Sequence, residues 1–318
     1  MKAIVAFCLF LFTSVILQAA EEPVSLRNGD VKLEGVLVYP DVNQKVPVVL
    51  IIAGSGPTDR NGNNMSMENN SLKYISDVLL QKNIATLRYD KRGIGQSSKG
   101  ELDPLFEDFV SDAKALAEML AKDSRFSEVI IAGHSEGSLI GMIVAHQFKK
   151  VKGFISIAGA GRPADVVIKE QLNMMPVDMQ KIAFEMLDRV KQGDTIKDVP
   201  YIYYAILNPS VQPYLTSWFK YDPAKELSKL KIPVLIVQGT TDVQVKEVDA
   251  RKLAEGLKSA QLAIISNMNH VLKTCLSTDK KENLKTYDDV TLPLNEDFTK
   301  VLISFIEELH PSKKHKKG

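Results

Sequence analysis

A serine flanked by glycines is the strongest sign of chemistry in this sequence. It lies in the motif Gly-His-Ser-Glu-Gly at residues 133–137, between an apolar run at 129–132 and a helical pattern from 138 onward. A serine on so tight a strand-to-helix turn projects its hydroxyl above the sheet, and a Cβ at either glycine would crowd the turn. The N-terminus of the following helix also favours negative charge. We therefore predict that Ser135 is a nucleophile.

A nucleophilic serine needs a base beside it, and a third group must orient that base. In hydrolases built on a parallel sheet, the chain order is serine, acid, histidine, with the last two on loops after later strands. Asp242 follows the apolar run 232–238, and His270 follows the run 261–265. Both would lie at the carboxyl ends of strands, where open α/β sheets build their sites. The sequence thus predicts a catalytic triad of Ser135, Asp242 and His270.

Other histidines and acids fit this arrangement less well. His134 would point away from the hydroxyl of its neighbour, and His146 lies well along an apolar helix. The two remaining histidines belong to the end of the last helix and to the tail. Asp222 comes before the strand, and Asp249 lies on the helix after it.

Attack on a carbonyl also needs backbone N–H groups that stabilise the developing oxyanion. One is expected from Glu136, directly after the nucleophile. The other is expected from Ser55, in the Gly-Ser-Gly-Pro loop that follows the apolar run 47–53, although its glycines would equally suit a simple turn. The Glu136 side chain would either favour a cationic group of the substrate or face solvent.

Strand and helix patterns alternate along almost the whole chain, which specifies a doubly wound α/β sheet with right-handed crossovers. An Asn28-Gly29 pair within 24–39 predicts a β-hairpin with a type I′ turn at the start. Short apolar runs typical of strands buried on both faces are at 47–53, 84–89, 129–132, 151–158, 232–238 and 261–265. Helical patterns are at 72–81, 106–122, 138–148, 246–258 and 296–309.

The alternation breaks once, over residues 162–230, where the sequence becomes helical and irregular. We predict a helical cap inserted into a core formed by 21–161 and 231–310. The methionines of the insertion, at 174, 175, 179 and 186, would mostly form its own core, and some would face a substrate.

The N-terminus predicts export. Lys2 precedes an apolar stretch at 3–17, and the small residues Ala19 and Ala20 precede an acidic pair. This pattern is typical of a secretory signal peptide over residues 1–20, which would place the mature protein in the periplasm or outside the cell without a membrane span. An uncleaved anchor is the alternative. The basic tail 311–318 is interpreted as a solvated terminus rather than a patch for phosphate or membrane.

A further motif supports a family resemblance. The sequence Tyr-Asp-Lys-Arg-Gly-Ile-Gly-Gln-Ser at 89–97 is similar to the Asp-x-Arg-Gly-x-Gly-x-Ser segment of many α/β-hydrolases. Together with the motifs at 54–62 and 133–137, it makes the chain resemble bacterial serine-aminopeptidase-like and carboxylesterase-like α/β-hydrolases over roughly 31–309. The resemblance implies a mostly parallel eight-stranded sheet with helices on both faces, a helical cap, and hydrolysis of carboxylic esters.

Composition narrows the remaining function classes. The 40 Lys and Arg residues nearly balance 39 Asp and Glu residues, without the basic surplus typical of nucleic-acid binders. The sequence has neither a metal-binding motif nor a phosphate-binding Gly-x-x-x-x-Gly-Lys signature, so we expect no cofactor and no metal. The expected substrate is a small-molecule ester or a short peptide. An aminopeptidase, lysophospholipase or thioesterase on the same triad, or a non-catalytic binding protein, are the alternatives.

Overall fold

An eight-stranded sheet organises the protein, whose computed structural model describes residues 19–310. The strand order is β1-β2-β4-β3-β5-β6-β7-β8. Strands β3 to β8 run parallel to one another, whereas β2 pairs antiparallel with both β1 and β4. The strands are β1 (Ala19–Asn28), β2 (Val31–Pro40), β3 (Val46–Ile52), β4 (Ala85–Tyr89), β5 (Phe126–His134), β6 (Val151–Ile157), β7 (Val234–Gly239) and β8 (Gln261–Ile265).

Eleven α-helices are present in residues 19–310. They are α1 (Ser71–Leu80), α2 (Phe106–Leu120), α3 (Glu136–Gln147), α4 (Ala164–Gln171), α5 (Val177–Lys191), α6 (Tyr204–Leu207), α7 (Gln212–Trp218), α8 (Pro223–Ser228), α9 (Glu247–Gly256), α10 (Lys280–Lys285) and α11 (Glu296–Leu309). The predicted class, a mostly parallel eight-stranded α/β sheet, is confirmed.

The central strands are buried on both faces, which explains why they read as unbroken apolar runs. Along β3, Val48 and Leu50 pack into one apolar cluster, and Val49 and Ile51 into another on the opposite face. Helices α2, α3 and α9 cover the first face, and α1 and α11 cover the second. The sheet is therefore a rigid layer, and its upper edge can hold a site in place.

The N-terminal hairpin forms as predicted, but its turn differs. Asn28 pairs with Val31, so the two loop residues are Gly29 and Asp30 rather than Asn28 and Gly29. Only Gly29 of these has a positive φ, of 63°. A two-residue loop with a positive φ at its first position is of the II′ kind, so the type I′ prediction is wrong. Strand pairing carried Asn28 into the ladder, where its amide donates to Asp112 at 2.8 Å.

The predicted signal segment and basic tail lie mostly outside the described residues. Ala19 and Ala20, at the end of the predicted signal, form the first two residues of β1 and pair with Pro40 and Tyr39. Within residues 19–310, no helix is long and apolar enough to cross a bilayer.

Five helices lie between β6 and β7, where the sequence predicts an insertion. Residues of α4, α5 and α7 form an apolar cluster of their own, which extends to Phe219. The last helix, α8, is different, because Leu227 and Leu230 pack with the main core. The part of the insertion that packs on itself thus ends before α8.

A second long connection follows β8 and has no counterpart in the sequence prediction. It runs from 266 to 295 and contains α10. Asn283 anchors it, because its side-chain amide donates to the carbonyl oxygens of Thr241 and Ser277 at 2.8 and 2.9 Å. The connection begins with the loop that carries His270, so its anchoring fixes part of the candidate site.

Candidate active site

Ser135 lies at the turn between β5 and α3 with a strained backbone. Its φ of 54° and ψ of −120° fall in a region that residues with a side chain rarely adopt. The Ser135 N–H donates to the carbonyl oxygen of Ile157 at 2.9 Å, which ties the turn to the neighbouring strand. The side chain thus stands at the carboxyl edge of the sheet, at the start of α3.

The two glycines of the motif leave no room for a side chain. A Cβ on Gly133 would lie 2.1 Å from the carbonyl oxygen of Gly137, and a Cβ on Gly137 would lie 2.3 Å from that of Ile52. Both distances are far below van der Waals contact, and the opposing atoms belong to the backbone. The close packing of strand, turn and helix therefore requires glycine at both places.

A substitution tests this packing. We expect Gly133→Ala to lower the free energy of unfolding by about 3 kcal/mol, because backbone must move to admit the methyl group. Gly193→Ala is the matched control: it adds a methyl group at a positive φ but into open space, and should cost only about 1 kcal/mol. Urea denaturation measures both. Equal costs for the two variants would contradict the steric account.

Asp242 and His270 form a buried pair. The Nδ1 atom of His270 lies 2.8 Å from Oδ2 of Asp242, and the two side chains are almost completely buried. Oδ1 of Asp242 accepts hydrogen bonds from the N–H groups of Gln244 and Val245, and Oδ2 also accepts one from Gln238. Burial disfavours the carboxylate, but the charge of His270 and these hydrogen bonds hold the pKa of Asp242 below its ordinary value. An ionised Asp242 keeps the proton of His270 on Nδ1, which leaves Nε2 free to accept one.

His134 connects the nucleophile turn to the histidine loop. Its Nε2 atom is 2.8 Å from the carbonyl oxygen of His270, and the two rings are 4.8 Å apart. The residue next to Ser135 is thus in contact with His270. The hydroxyl of Ser135 itself makes no hydrogen bond to another residue within 19–310, His270 included. Serine–histidine hydrogen bonds of catalytic pairs are often long without substrate and shorten when it binds.

The buried His134 predicts a pH dependence of stability. The pKa of His134 is lowered to about 3, mainly because the side chain is buried and secondly because His270 lies nearby. Between about pH 6.5 and that value, the unfolded chain binds a proton at residue 134 that the folded chain excludes, so stability falls as the pH falls. The contribution reaches about 1.4 kcal/mol per pH unit. We expect the free energy of unfolding of His134→Gln to depend on pH less steeply by this amount. Urea denaturation between pH 6.5 and 4.5 measures the slope for both proteins. Identical slopes for both proteins would refute the assignment.

The two predicted oxyanion donors lie beside Ser135. A Cβ on Gly54 would be 3.0 Å from the Cβ of Ser135, so the loop after β3 passes directly against the nucleophile. Neither the Ser55 N–H nor the Glu136 N–H has an acceptor among the described residues. Backbone N–H groups without an acceptor, next to a serine at a helix N-terminus, are the arrangement that binds an oxyanion.

The Glu136 side chain does not face solvent, as one of the two expectations had it, because it is only 6% exposed. Its Oε2 atom pairs with Nζ of Lys91 at 3.1 Å, while its buried Oε1 atom has no hydrogen-bond partner among the described residues. The sequence could not give this contact, since residues 91 and 136 come from different strand ends that the sheet brings together.

The polar loop after Ser55 is tied to the neighbouring loop by a largely buried ion pair. Arg60 pairs with Asp90 at 2.6 Å, and the Arg60 side chain is only 12% exposed. Burial raises the pKa of Asp90, but its hydrogen bonds to Arg60 and Gln96 outweigh that and bring the pKa below its ordinary value. The pair joins the loop after β3 to the loop after β4.

A cavity of about 530 Å³ opens in front of Ser135. Ser55, Ser135 and Glu136 line its floor, while Asp242 and His270 are not among its lining residues. Its walls come from both the core and the insertion and are largely apolar. They include Phe109, Leu139, Val167, Ile168, Tyr214 and Trp218. The space suits an apolar group attached to a reacting carbonyl.

Three methionines of the insertion, Met175, Met179 and Met186, do not line this cavity. Met186 is buried in the insertion's own cluster, and Met175 and Met179 pack against it. The expectation that some of them face a substrate is therefore wrong for these three. Aromatic residues of α7, Tyr214 and Trp218, line the cavity instead. Trp218 also stacks on Phe106, with ring centres 6.1 Å apart, and so extends the aromatic wall.

Comparison with known proteins supports the fold. Est1E from Butyrivibrio proteoclasticus, solved with ferulic acid bound, superposes with a TM-score of 0.62 at 18% identity, covering 91% of this chain and 99% of that one. An esterase from Pyrococcus furiosus, Pf2001, gives 0.61 at 15% identity, with 91% of each chain covered. These likenesses show that the chain has the α/β-hydrolase fold. Its strand order, in which β2 alone runs against the direction of the other strands, agrees with that fold.

Sequence comparison gives two narrower likenesses. Residues 65–201 match the family model of the serine aminopeptidases, S33. Esterase EstD of Thermotoga maritima is 25% identical over 261 residues, which is 79% of this chain and 61% of EstD. The chain thus spans about three fifths of the length of that relative. The S33 match includes Ser135 but ends before Asp242 and His270.

Sequence reasoning missed three contributors to the candidate site: Lys91, His134 and Gln238. Lys91 lies directly after β4, so the rule that used strand ends to find Asp242 would have singled it out. His134 was judged only as a rival base, not as a support. Within the described residues, no group of three or more acidic, histidine or cysteine side chains is placed to hold a metal.

Proposed function

We propose that this protein is a serine hydrolase that cleaves carboxylic esters through an acyl-enzyme intermediate. The observation that carries the proposal is the position of Ser135, on a strained turn at the floor of an apolar cavity, directly after His134, whose ring contacts the His270 of a buried Asp242–His270 pair. A serine that takes no part in chemistry would not need this backbone conformation, which costs of the order of 1–3 kcal/mol. The esterase names of EstD, Est1E and Pf2001 agree with the proposal.

The proposed reaction has two halves. Nε2 of His270 takes the proton of Ser135 as Oγ attacks the ester carbonyl carbon, and the N–H groups of Ser55 and Glu136 stabilise the resulting oxyanion. The intermediate collapses, and the alcohol leaves with the proton from His270. Water, deprotonated by His270, then attacks the acyl-serine bond, and the carboxylic acid leaves as Ser135 regains its proton.

An ester is favoured over an aminopeptidase substrate by the charges of the cavity. An aminopeptidase must hold the α-ammonium group of its substrate, and a carboxylate that is already paired with a cation compensates a second cation less well. Two acidic side chains line the cavity, Glu136 and Asp103. Glu136 pairs with Lys91, and Asp103 pairs with Lys99 at 2.6 Å. Residues of the insertion that line the cavity include no acid.

A direct comparison of substrates tests this proposal. The purified protein is given p-nitrophenyl esters of increasing acyl length and, separately, aminoacyl p-nitroanilides. We expect turnover of the esters and kcat/KM for the anilides at least a thousandfold lower. A fluorophosphonate probe should label the protein with loss of ester hydrolysis. Turnover of the anilides above that of the esters would favour the peptidase, and no turnover of either with no labelling would favour a binding protein.

A cap formed by 162–230 is also part of the proposal, because residues of this insertion line the cavity in front of Ser135.

We further propose that the protein is exported to the periplasm or beyond. The apolar segment before Ala19 supports export. N-terminal sequencing of the protein from its native cells tests it. A mature N-terminus near Glu21 is expected, and a chain that still begins at Met1 would contradict cleavage.

A further inference from the structure

Lys91 is a buried lysine at the floor of the cavity. Its side chain is 3% exposed, and it follows β4 directly. The Nζ atom donates to the carbonyl oxygen of Gly54 and to Oε2 of Glu136 at 3.1 Å, and lies 5.5 Å from the centre of the Phe109 ring. Three elements therefore meet at one ammonium group: the loop after β3, the start of α3 and helix α2.

Burial of such a group is costly unless its charge is compensated. Glu136 supplies the compensating charge, and its own side chain is only 2% exposed. An apolar pair in the same place would often be as stable, so the ion pair by itself is weak evidence of a role in stability. The positions of its contacts are more informative.

One contact lies on the peptide group that carries the Ser55 N–H, and the other lies on the side chain of Glu136, so both concern the proposed oxyanion donors. The Gly54 carbonyl belongs to the same peptide group as the Ser55 N–H, and no described peptide bond is cis. In a planar trans peptide, C=O and N–H point in opposite directions, so a bond that fixes one fixes the other. The same ammonium group holds Glu136, whose backbone N–H is the second donor.

The charge of Lys91 has a second consequence. The Glu136 carboxylate is on the residue next to the nucleophile, in a site of low polarity where charges act strongly. Without a cation beside it, this carboxylate would oppose the negative charge that develops on the substrate oxygen. An ammonium group between Gly54 and Glu136 neutralises it and polarises the Gly54–Ser55 peptide toward stronger donation by its N–H.

We propose that Lys91 is a positioning residue that sets the geometry and charge of the oxyanion hole by bridging Gly54 and Glu136. This inference rests on the proposed function, because it assumes acyl transfer at Ser135. It predicts that loss of Lys91 alone leaves an uncompensated carboxylate beside the oxyanion, whereas loss of both charges leaves only a looser loop.

The test compares Lys91→Met, Glu136→Gln and the double variant on a short p-nitrophenyl ester, with active sites counted by fluorophosphonate titration. We expect kcat per active site to fall 10²- to 10³-fold in Lys91→Met with KM within threefold, as for loss of one oxyanion donor. The double variant should regain at least tenfold over Lys91→Met. Lys300→Met, which removes an exposed lysine paired with Glu296 on α11, is the control and should equal the wild type.

A second readout separates positioning from mere support of the fold. A trifluoromethyl ketone forms a tetrahedral oxyanion on a serine, so its inhibition constant should rise in Lys91→Met in proportion to the loss of kcat/KM. An inhibition constant equal to that of the wild type, or a double variant no more active than Lys91→Met, overturns the inference. So does a Lys91→Met variant with kcat within threefold. A wild-type protein without esterase activity would overturn the proposed function instead.

Discussion

Ser135→Ala should lower kcat on a short aryl ester by about 10⁶-fold while the protein stays folded. The loss is large because the proposed covalent step has no other nucleophile. The fold should be unaffected because the Ser135 hydroxyl makes no hydrogen bond to the described residues, and alanine keeps the same Cβ in the strained turn. Initial rates with p-nitrophenyl acetate measure the effect, and circular dichroism with a thermal melt checks the fold.

The matched control is Ser138→Ala, one helical turn further along α3. Ser138 is buried, and its hydroxyl bonds to that of Ser156 at 2.7 Å, away from the proposed chemistry. This variant should lose stability but keep kcat within a few-fold. A Ser135→Ala protein with more than a tenth of the wild-type turnover would remove Ser135 from the mechanism.

Asp242→Asn has the second largest expected effect, a fall in kcat of about 10⁴-fold. Oδ1 of Asp242 accepts two backbone N–H bonds, so the NH₂ group of asparagine must occupy the other position, toward His270. There it would donate to Nδ1 and force the proton of His270 onto Nε2, where it blocks acceptance of the serine proton. Asparagine has nearly the same shape, so the structure should change little apart from the loss of the hydrogen bond that Oδ2 accepts from Gln238.

Steady-state kinetics of Asp242→Asn measure this effect beside Ser135→Ala. Residual activity should be about a hundredfold above that of the serine variant, because the oxyanion donors and the nucleophile remain. The NMR shifts of the His270 ring nitrogens report the tautomer directly. A variant with the proton still on Nδ1 and near-normal turnover would show that Asp242 does not orient the base.

Much of the fold could be predicted from local patterns. The strands β3 to β7 are largely buried on both faces, so each appears as a continuous apolar run that can be recognised without knowledge of its neighbours. Helix α11 was predicted with its observed ends, because Asn295 caps its first turn and an apolar face repeats along it. The strand-end rule found Asp242 and His270 because connectivity alone brings the carboxyl ends of parallel strands to one edge.

What escaped prediction depends on contacts between distant parts of the chain. The side chain of Glu136 was expected to face solvent or substrate, because no residue near it in the sequence indicates a contact with Lys91. The hairpin turn was placed one residue too early, because the register of β1 against β2 decides which residues lie in the loop. The connection 266–295 has too little periodicity to be predicted and is held by buried amides such as Asn283.

Trapping the acyl-enzyme tests the central claim most directly. The protein is mixed with p-nitrophenyl acetate, quenched in acid within the first turnover and digested, and the peptides are examined by mass spectrometry. We predict the mass of one acetyl group on the peptide that contains Ser135, localised to that residue by fragmentation and absent from Ser135→Ala. Ester hydrolysis with no acyl group on Ser135, or with the group on another residue, would contradict the account.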